Sequence, residues 1–183
     1  MDVLETEIPE VKVLVPKRFG DSRGWFSETW NRRTLAQAGV DLEFVQDNHS
    51  LSVPAGTVRG LHFQTPPFAQ DKLVRVLRGA ILDVAVDLRR ASPTFGRHVS
   101  VRLDASEGLQ LLVPAGFAHG FVTIEPDTEV FYKVTNYYSP EHDRGLLWND
   151  PDLGIDWGID PERVLLSDKD RRQPRLRDIE TAF

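Results

Sequence analysis

The chain has 183 residues, 40% apolar and 27% charged, with 22 Lys and Arg against 28 Asp and Glu for a formal net charge of −6. That length suits one domain with a real core, the 13 Gly and 12 Pro are too few for disorder, and the acidity argues against general nucleic-acid binding, which needs a basic face. The absence of cysteine excludes disulfide frameworks, thiolate metal sites and cysteine nucleophiles together.

The opening MDVLETEIPEVKVLVP carries acidic residues where a signal peptide needs positive charge. No run approaches the roughly 20 apolar residues of a membrane helix. The expectation is a soluble, cytoplasmic, single-domain protein over residues 1–183. Strand-like runs then follow at 11–16, 42–50 and 58–64, with Asn31 placed to cap a short helix in RRTLAQA and Gly39 to stop it. Runs at 72–79 and 80–88 come next, and Gly79 between them predicts a tight hairpin. At 98–103 the alternation is strict, with Val99, Val101 and Leu103 on one face and His98, Ser100 and Arg102 on the other. Runs at 109–114, 119–124 and 129–135 complete the set. Many short strands punctuated by Gly and Pro predict an all-β sandwich or barrel, most simply a jelly roll. The last 45 or so residues, including a short helix or turn in PERVLLSDKD, read as loops and helical pieces wrapping the sheet.

Of the five histidines, His98 and His142 sit in polar contexts that predict the surface, and His49 at a polar strand end reads either way. His62 and His119 lie on strands among core-type residues, in Arg59-Gly60-Leu61-His62-Phe63-Gln64 and Pro114-Ala115-Gly116-Phe117-Ala118-His119-Gly120-Phe121. The pattern supports two readings of each: a buried, hydrogen-bonded structural histidine, or a functional group facing a cavity. Simple alternation puts Arg59 and His62 on opposite faces, and a bulge would bring them to one. A metal site of the cupin kind wants two histidines one residue apart, a nearby carboxylate and a third histidine on a later strand. Position 64 is Gln and no acid follows until Asp71, so no metal is expected. The remaining strand residues with chemistry are Lys72, Tyr132 and Lys133, with a polar string Asp21-Ser22-Arg23-Gly24-Trp25-Phe26-Ser27-Glu28 near the start. His, Lys and Tyr together can abstract a proton beside a carbonyl, hold the enolate oxygen and return a proton.

Through these residues the sequence resembles the dTDP-4-dehydrorhamnose 3,5-epimerase family. The likeness runs from Asp21-x-Arg23-Gly24-x-Phe26-x-Glu28 through Gln46-x-Asn48-x-Ser50, the block at 59–64 and Gln70-x-Lys72-Leu73-Val74-Arg75. It continues through the Asp83–Arg89, Ser92–Gly96 and Pro114–Phe121 blocks, Tyr132-Lys133 and Tyr138-Ser139-Pro140-Glu141. Trp148-Asn149-Asp150-Pro151 and Leu166-Ser167-x-Lys169-Asp170 close it, so it covers residues 17 to 176 in order. It implies a cupin-like jelly roll and a cofactor-free homodimer that epimerises dTDP-4-dehydro-6-deoxy-α-D-glucose, a dTDP-4-keto-6-deoxyhexose, on the route to dTDP-L-rhamnose. It also implies roles: His62 as base with Asp170 orienting it, Lys72 at the C4 oxygen and Tyr132 as the acid on the opposite face. Arg23, Glu28, Gln46, Asn48, Arg59, His119 and Lys169 would contact the nucleotide and diphosphate, and Tyr138 would stack on thymine. A relative acting at C3 or C5 alone would use the same residues. A metal-dependent cupin oxygenase and a non-catalytic sugar-nucleotide binder are the rivals from other classes. Three positions depart from the family pattern: Asp143 where Glu is common, Phe63 for a frequent Tyr, and Gly158 after Trp157 where Pro is often found.

Overall fold

The structure, a computed structural model, describes residues 1–180 and 183. In chain order the elements are β1 (Asp2–Glu5), β2 (Lys12–Val15), β3 (Arg18–Asp21), β4 (Gly24–Ser27), α1 (Arg32–Gln37), β5 (Gln46–Ser52) and β6 (Val58–Gln64). Then come β7 (Lys72–Arg78), β8 (Ala80–Asp87), β9 (His98–Asp104), β10 (Gln110–Val113), β11 (Phe117–Thr123), β12 (Thr128–Val134), β13 (Asp143–Gly145) and α2 (Asp168–Arg171). They form a six-stranded sheet, β1-β2-β10-β7-β12-β5, and a five-stranded sheet, β13-β6-β11-β8-β9, with β3-β4 a separate hairpin. The ladders within all three are antiparallel, as an all-β sandwich of the cupin-like type requires.

The sandwich core interleaves Val74, Val76, Leu111, Val113 and Val130 of the first sheet with Ile81, Ala85, Val99, Leu103, Phe117 and Phe121 of the second. Each outer face is covered as well. Asn31 caps α1 by accepting the Thr34 N–H, and Leu35 and Val40 pack on Leu14, Leu73 and Leu112 of the first sheet. Leu146, Trp148, Leu153, Trp157 and Val164 cover Leu61, Phe63, Val84, Val86 and Val122 of the second. The predicted alternation at 98–103 holds, with Val99 and Leu103 buried and Ser100 and Arg102 exposed.

Four features differ from the sequence reading. Gly79 is not a hairpin turn: β7 and β8 belong to different sheets, and the chain passes between them at this left-handed residue (φ +76°). A side chain there would run into the Thr128 hydroxyl. The strand expected at 42–50 is β5, shifted to 46–52, because Leu42 and Phe44 pack against the α1 cluster instead of pairing. The β3-β4 hairpin, β1 and β13 fall outside the expected strands because, unlike the equally short β2 and β10, each has at most one buried residue and so carries no apolar run. His98 and His142, expected at the surface, are half-buried.

Candidate active site

At one end of the sandwich the two sheets part around a cavity of about 710 Å³ lined by residues of both, among them Asn48, Arg59, His62, Lys72, His119, Tyr132, Lys169 and Asp170. A smaller pocket of about 150 Å³ shares Asn48, His62, Lys72 and Tyr132 with it and adds Gln46, Gln64, Tyr138 and Asp143. Ten of the twelve residues picked out from the sequence therefore meet at this one place. Arg23 and Glu28 line neither cavity: they sit on or beside the β3-β4 hairpin, Arg23 paired with Asp21 at 2.6 Å and Glu28 accepting from Asn31 Nδ2 at 3.0 Å.

A bulge in β6 explains how Arg59 and His62 come together. His62 pairs with His119 and Arg59 with Phe121, so two residues, Gly60 and Leu61, oppose the single Gly120. The slip changes the parity, so that Val58, Leu61 and Phe63 pack into the cluster on the outer face of the sheet while Arg59, His62 and Gln64 line the cavities. Both glycines are required by contact. A Cβ on Gly60 (φ +116°) would lie 2.6 Å from Gly120 Cα, and one on Gly120 would lie 2.7 Å from the Arg59 carbonyl oxygen.

His62 Nε2 and Asp170 Oδ1 are 2.5 Å apart, the carboxylate arriving from the far end of the chain on α2. Ser167 caps that single turn, its hydroxyl accepting the Asp170 N–H at 3.1 Å. Burial pushes the Asp170 carboxyl up, but the hydrogen bond and charge of His62, with hydrogen bonds from Ser167 and the Gly60 backbone, together outweigh it and hold the group below the usual carboxylate range. Lys72, on the opposite sheet, donates from Nζ to the His62 carbonyl at 3.2 Å. Its burial brings the ammonium down to about 8, against the opposing charges of Asp143 and Asp83. Tyr132 lies on the same sheet as Lys72, and its neighbour Lys133 points away to Asp47 at 2.7 Å. Burial raises the Tyr132 hydroxyl, partly countered by the Arg59 charge and reinforced by Asp143. Arg59 is held by Ser52 Oγ on Nε and the Leu51 carbonyl on Nη2, each at 3.0 Å. His119 Nε2 meets Asp83 Oδ1 at 2.7 Å, and Asp83 Oδ2 is buried without a hydrogen-bond partner among the described residues.

Three further residues of the site escaped the sequence reading. Asp83 sat in a recognised block, yet nothing local shows that β8 lies beside β11. Asp143, noted only as a departure, accepts from Tyr138 Oη at 3.2 Å and from Lys169 Nζ. Gln64 bonds to two loops. Among the described residues no three or more His, Cys, Asp or Glu gather into a group that could hold a metal ion. None of the described helices is long and apolar enough to cross a membrane.

The fold is a cupin-like β-sandwich that gathers a histidine–aspartate pair, a lysine and a tyrosine around one inter-sheet cavity. Residues 5–178 match the family model for dTDP-4-dehydrorhamnose 3,5-epimerase. The chain belongs to that family, and it is a carbohydrate isomerase. It is 54% identical over 178 residues to the dTDP-4-dehydrorhamnose 3,5-epimerase of Sinorhizobium fredii, covering 96% of this chain and 90% of that one. The crystal structure of the Bacillus anthracis enzyme with TDP and PPi bound superposes with a TM-score of 0.92 at 53% identity, over 95% of this chain and 98% of that one. An enzyme of Legionella pneumophila in complex with dTDP-4-keto-L-rhamnose gives 0.93 at 42% identity, over 98% and 94% of the two chains.

Proposed function

We propose that this chain inverts C3 and C5 of dTDP-4-dehydro-6-deoxy-α-D-glucose, giving dTDP-4-dehydro-β-L-rhamnose, by acid–base proton transfer through a C4 enolate. The observation that carries the reading is His62 on one sheet, backed by Asp170 from α2, facing Tyr132 and Lys72 on the other sheet across a single cavity. The C4 ketone acidifies the hydrogens on both neighbouring carbons. His62 takes one of these protons, and the C–H electron pair moves into the ring while the carbonyl pair moves onto the C4 oxygen. Lys72, as an ammonium, stabilises that oxyanion as it forms. Tyr132 then returns a proton to the same carbon from the opposite face, so the configuration inverts. Solvent removes the proton from His62 and restores that of Tyr132. Asp170 fixes the imidazole tautomer and supports the imidazolium.

The nucleotide end holds the sugar between these groups, so binding energy remote from the reacting carbons serves orientation. Arg59 offers a forked donor for the diphosphate, joined by His119, Lys169, Asn48 and Gln46, and Tyr138 stacks on thymine. Arg23 and Glu28 reach nucleotide in this reading only from a second copy. Their hairpin supports a homodimer, since it exposes Phe19, Trp25 and Phe26 by more than half. The test is incubation with the substrate in D₂O. Deuterium at both C3 and C5 is the expected result. Label at one carbon alone replaces the reading with a monofunctional epimerase, and none at either ends it for this substrate.

A further inference from the structure

The segment 136–139 lies at the rim of the smaller pocket and carries two adjacent exposed aromatics, Tyr137 at 62% and Tyr138 at 56%. A loop so open to solvent is ordinarily mobile. Here its backbone is fastened by three glutamines from separate parts of the chain. Gln70 Nε2 donates to the Asn136 carbonyl at 2.7 Å, and Gln46 Oε1 accepts the Tyr138 N–H at 3.1 Å. Gln64 makes two of the bonds: Nε2 donates to the Tyr137 carbonyl at 3.1 Å, and Oε1 accepts the Ser139 N–H at 2.7 Å. Its second amide hydrogen goes to the Phe68 carbonyl at 2.7 Å, so this side chain, 5% exposed, spends its whole amide on two loops.

The ring is held at its other end too. Tyr138 Oη donates to Asp143, and Asp143 is the cross-strand partner of Gln64 in the β13–β6 ladder. One registered pair thus fixes both the backbone behind Tyr138 and the tip of its ring. The strand position where a cupin metal site would carry a second histidine is given over to this fastening. An aromatic ring left more than half in water contributes little to the core, so the fold gains little from holding it still. A ligand gains much, because ordering a platform in advance removes that cost from binding.

We propose that Gln64, together with Asp143, is a positioning residue that pre-organises Tyr138 as a rigid stacking face for the nucleoside base and so sets nucleotide affinity. This rests on the reading above that a thymidine nucleotide occupies the cavity. The test compares wild type with Gln64→Glu, which keeps the acceptor but turns an oxygen toward two carbonyls, and Gln64→Met, which keeps the length and removes every bond. Two quantities are read: hydrogen exchange at the Tyr138 and Ser139 amides, and calorimetric affinity for dTDP. In both variants the amides exchange faster and the dTDP Kd rises about tenfold, while kcat at saturating substrate changes less than about threefold. Unchanged affinity in a variant whose amides have lost protection overturns the proposal, as do amides that keep wild-type protection. A kcat that falls as far as affinity also overturns it, because Gln64 then acts on the chemical step. Should the Gln64 variants fail to fold, Tyr138→Phe tests the ring-tip contact alone, with a Kd about threefold higher expected and an unchanged one counting against it. Wild-type protein that binds no dTDP brings down the substrate reading instead, and amide exchange then decides the fastening by itself.

Discussion

Two histidine–aspartate pairs stand side by side here, His62 with Asp170 and His119 with Asp83, and the two histidines are cross-strand partners. Their chemistry is the same and their settings are opposite. The His62 side chain is 33% exposed to the cavity and takes its carboxylate from a helix 108 residues further along the chain. The His119 side chain is 7% exposed, and its carboxylate, on the adjacent strand β8, is wholly buried. Only the first pair has an imidazole edge free to meet a substrate carbon with its partner held behind it. The second is built into the sheet and presents a fixed group at the cavity wall. In the proposed reading it is burial, rather than the presence of a dyad, that separates the histidine that moves a proton from the one that holds the ligand.

The largest effect should come from exchanging the two sites' losses. His62→Asn is expected to lower deuterium exchange at both sugar carbons about a thousandfold, the usual scale for removing a general base, while dTDP still binds. His119→Asn should act mainly on KM and cost kcat far less than its neighbour does. Exchange and calorimetry on the two variants check this, and equal losses of kcat would erase the distinction between the pairs.

Much of this comparison is visible in the sequence, and the reason is physical. Strand alternation, most of the Gly and Pro punctuation and the Asn31 cap are local signals, and they predicted strands and a helix that formed. His62 and His119 stood out because a polar group among core residues needs a partner or a purpose. Asp170 did not stand out by local pattern: in SDKD it looks like a solvated helix start, and only the resemblance linked it to His62. The parity of Arg59 and His62 was open for a related reason, since a bulge is decided by the opposing strand and not by the strand that carries it. Gly79 failed as a hairpin because the sheet a strand joins depends on residues far away in the chain.

The bulge is also the second place to break the comparison, because it sets how the two pairs face each other. Gly120 has ordinary backbone angles, so alanine there is opposed by contact alone: its Cβ would fall 2.7 Å from the Arg59 carbonyl and 3.1 Å from Gly60 Cα, both backbone atoms that cannot swing aside. Gly120→Ala should destabilise the fold by more than about 2 kcal/mol, read as a lower midpoint in urea. A midpoint within error of wild type would mean the two strands can separate without cost, and the bulge would then not be what fixes Arg59 beside His62.

The smallest expected effect concerns Lys72, which feels Asp83 of the buried pair and Asp143 on the strand beside His62. Its burial lowers the ammonium to about 8, and the charges of Asp143 and Asp83 oppose that fall. A lysine that must be charged to hold an oxyanion is active below its pKa and lost above it. The activity should therefore decline as pH rises through about 8, well below the range of an ordinary lysine, with kcat dropping about tenfold per unit on that limb. Tyr132 cannot supply this limb, since its own hydroxyl is raised and stays protonated there. Asp143→Asn removes one of the supporting charges, so the ammonium becomes harder to keep and the limb moves to lower pH. Because Asp143 also holds Tyr138, the profile is read in kcat at saturating substrate, where weaker binding does not enter. A limb that stays in place in Asp143→Asn would assign it to a group other than Lys72. A shift to lower pH would show the enolate's counter-charge being set by a carboxylate on the strand next to His62, with Asp83 of the buried pair left as its remaining acidic support.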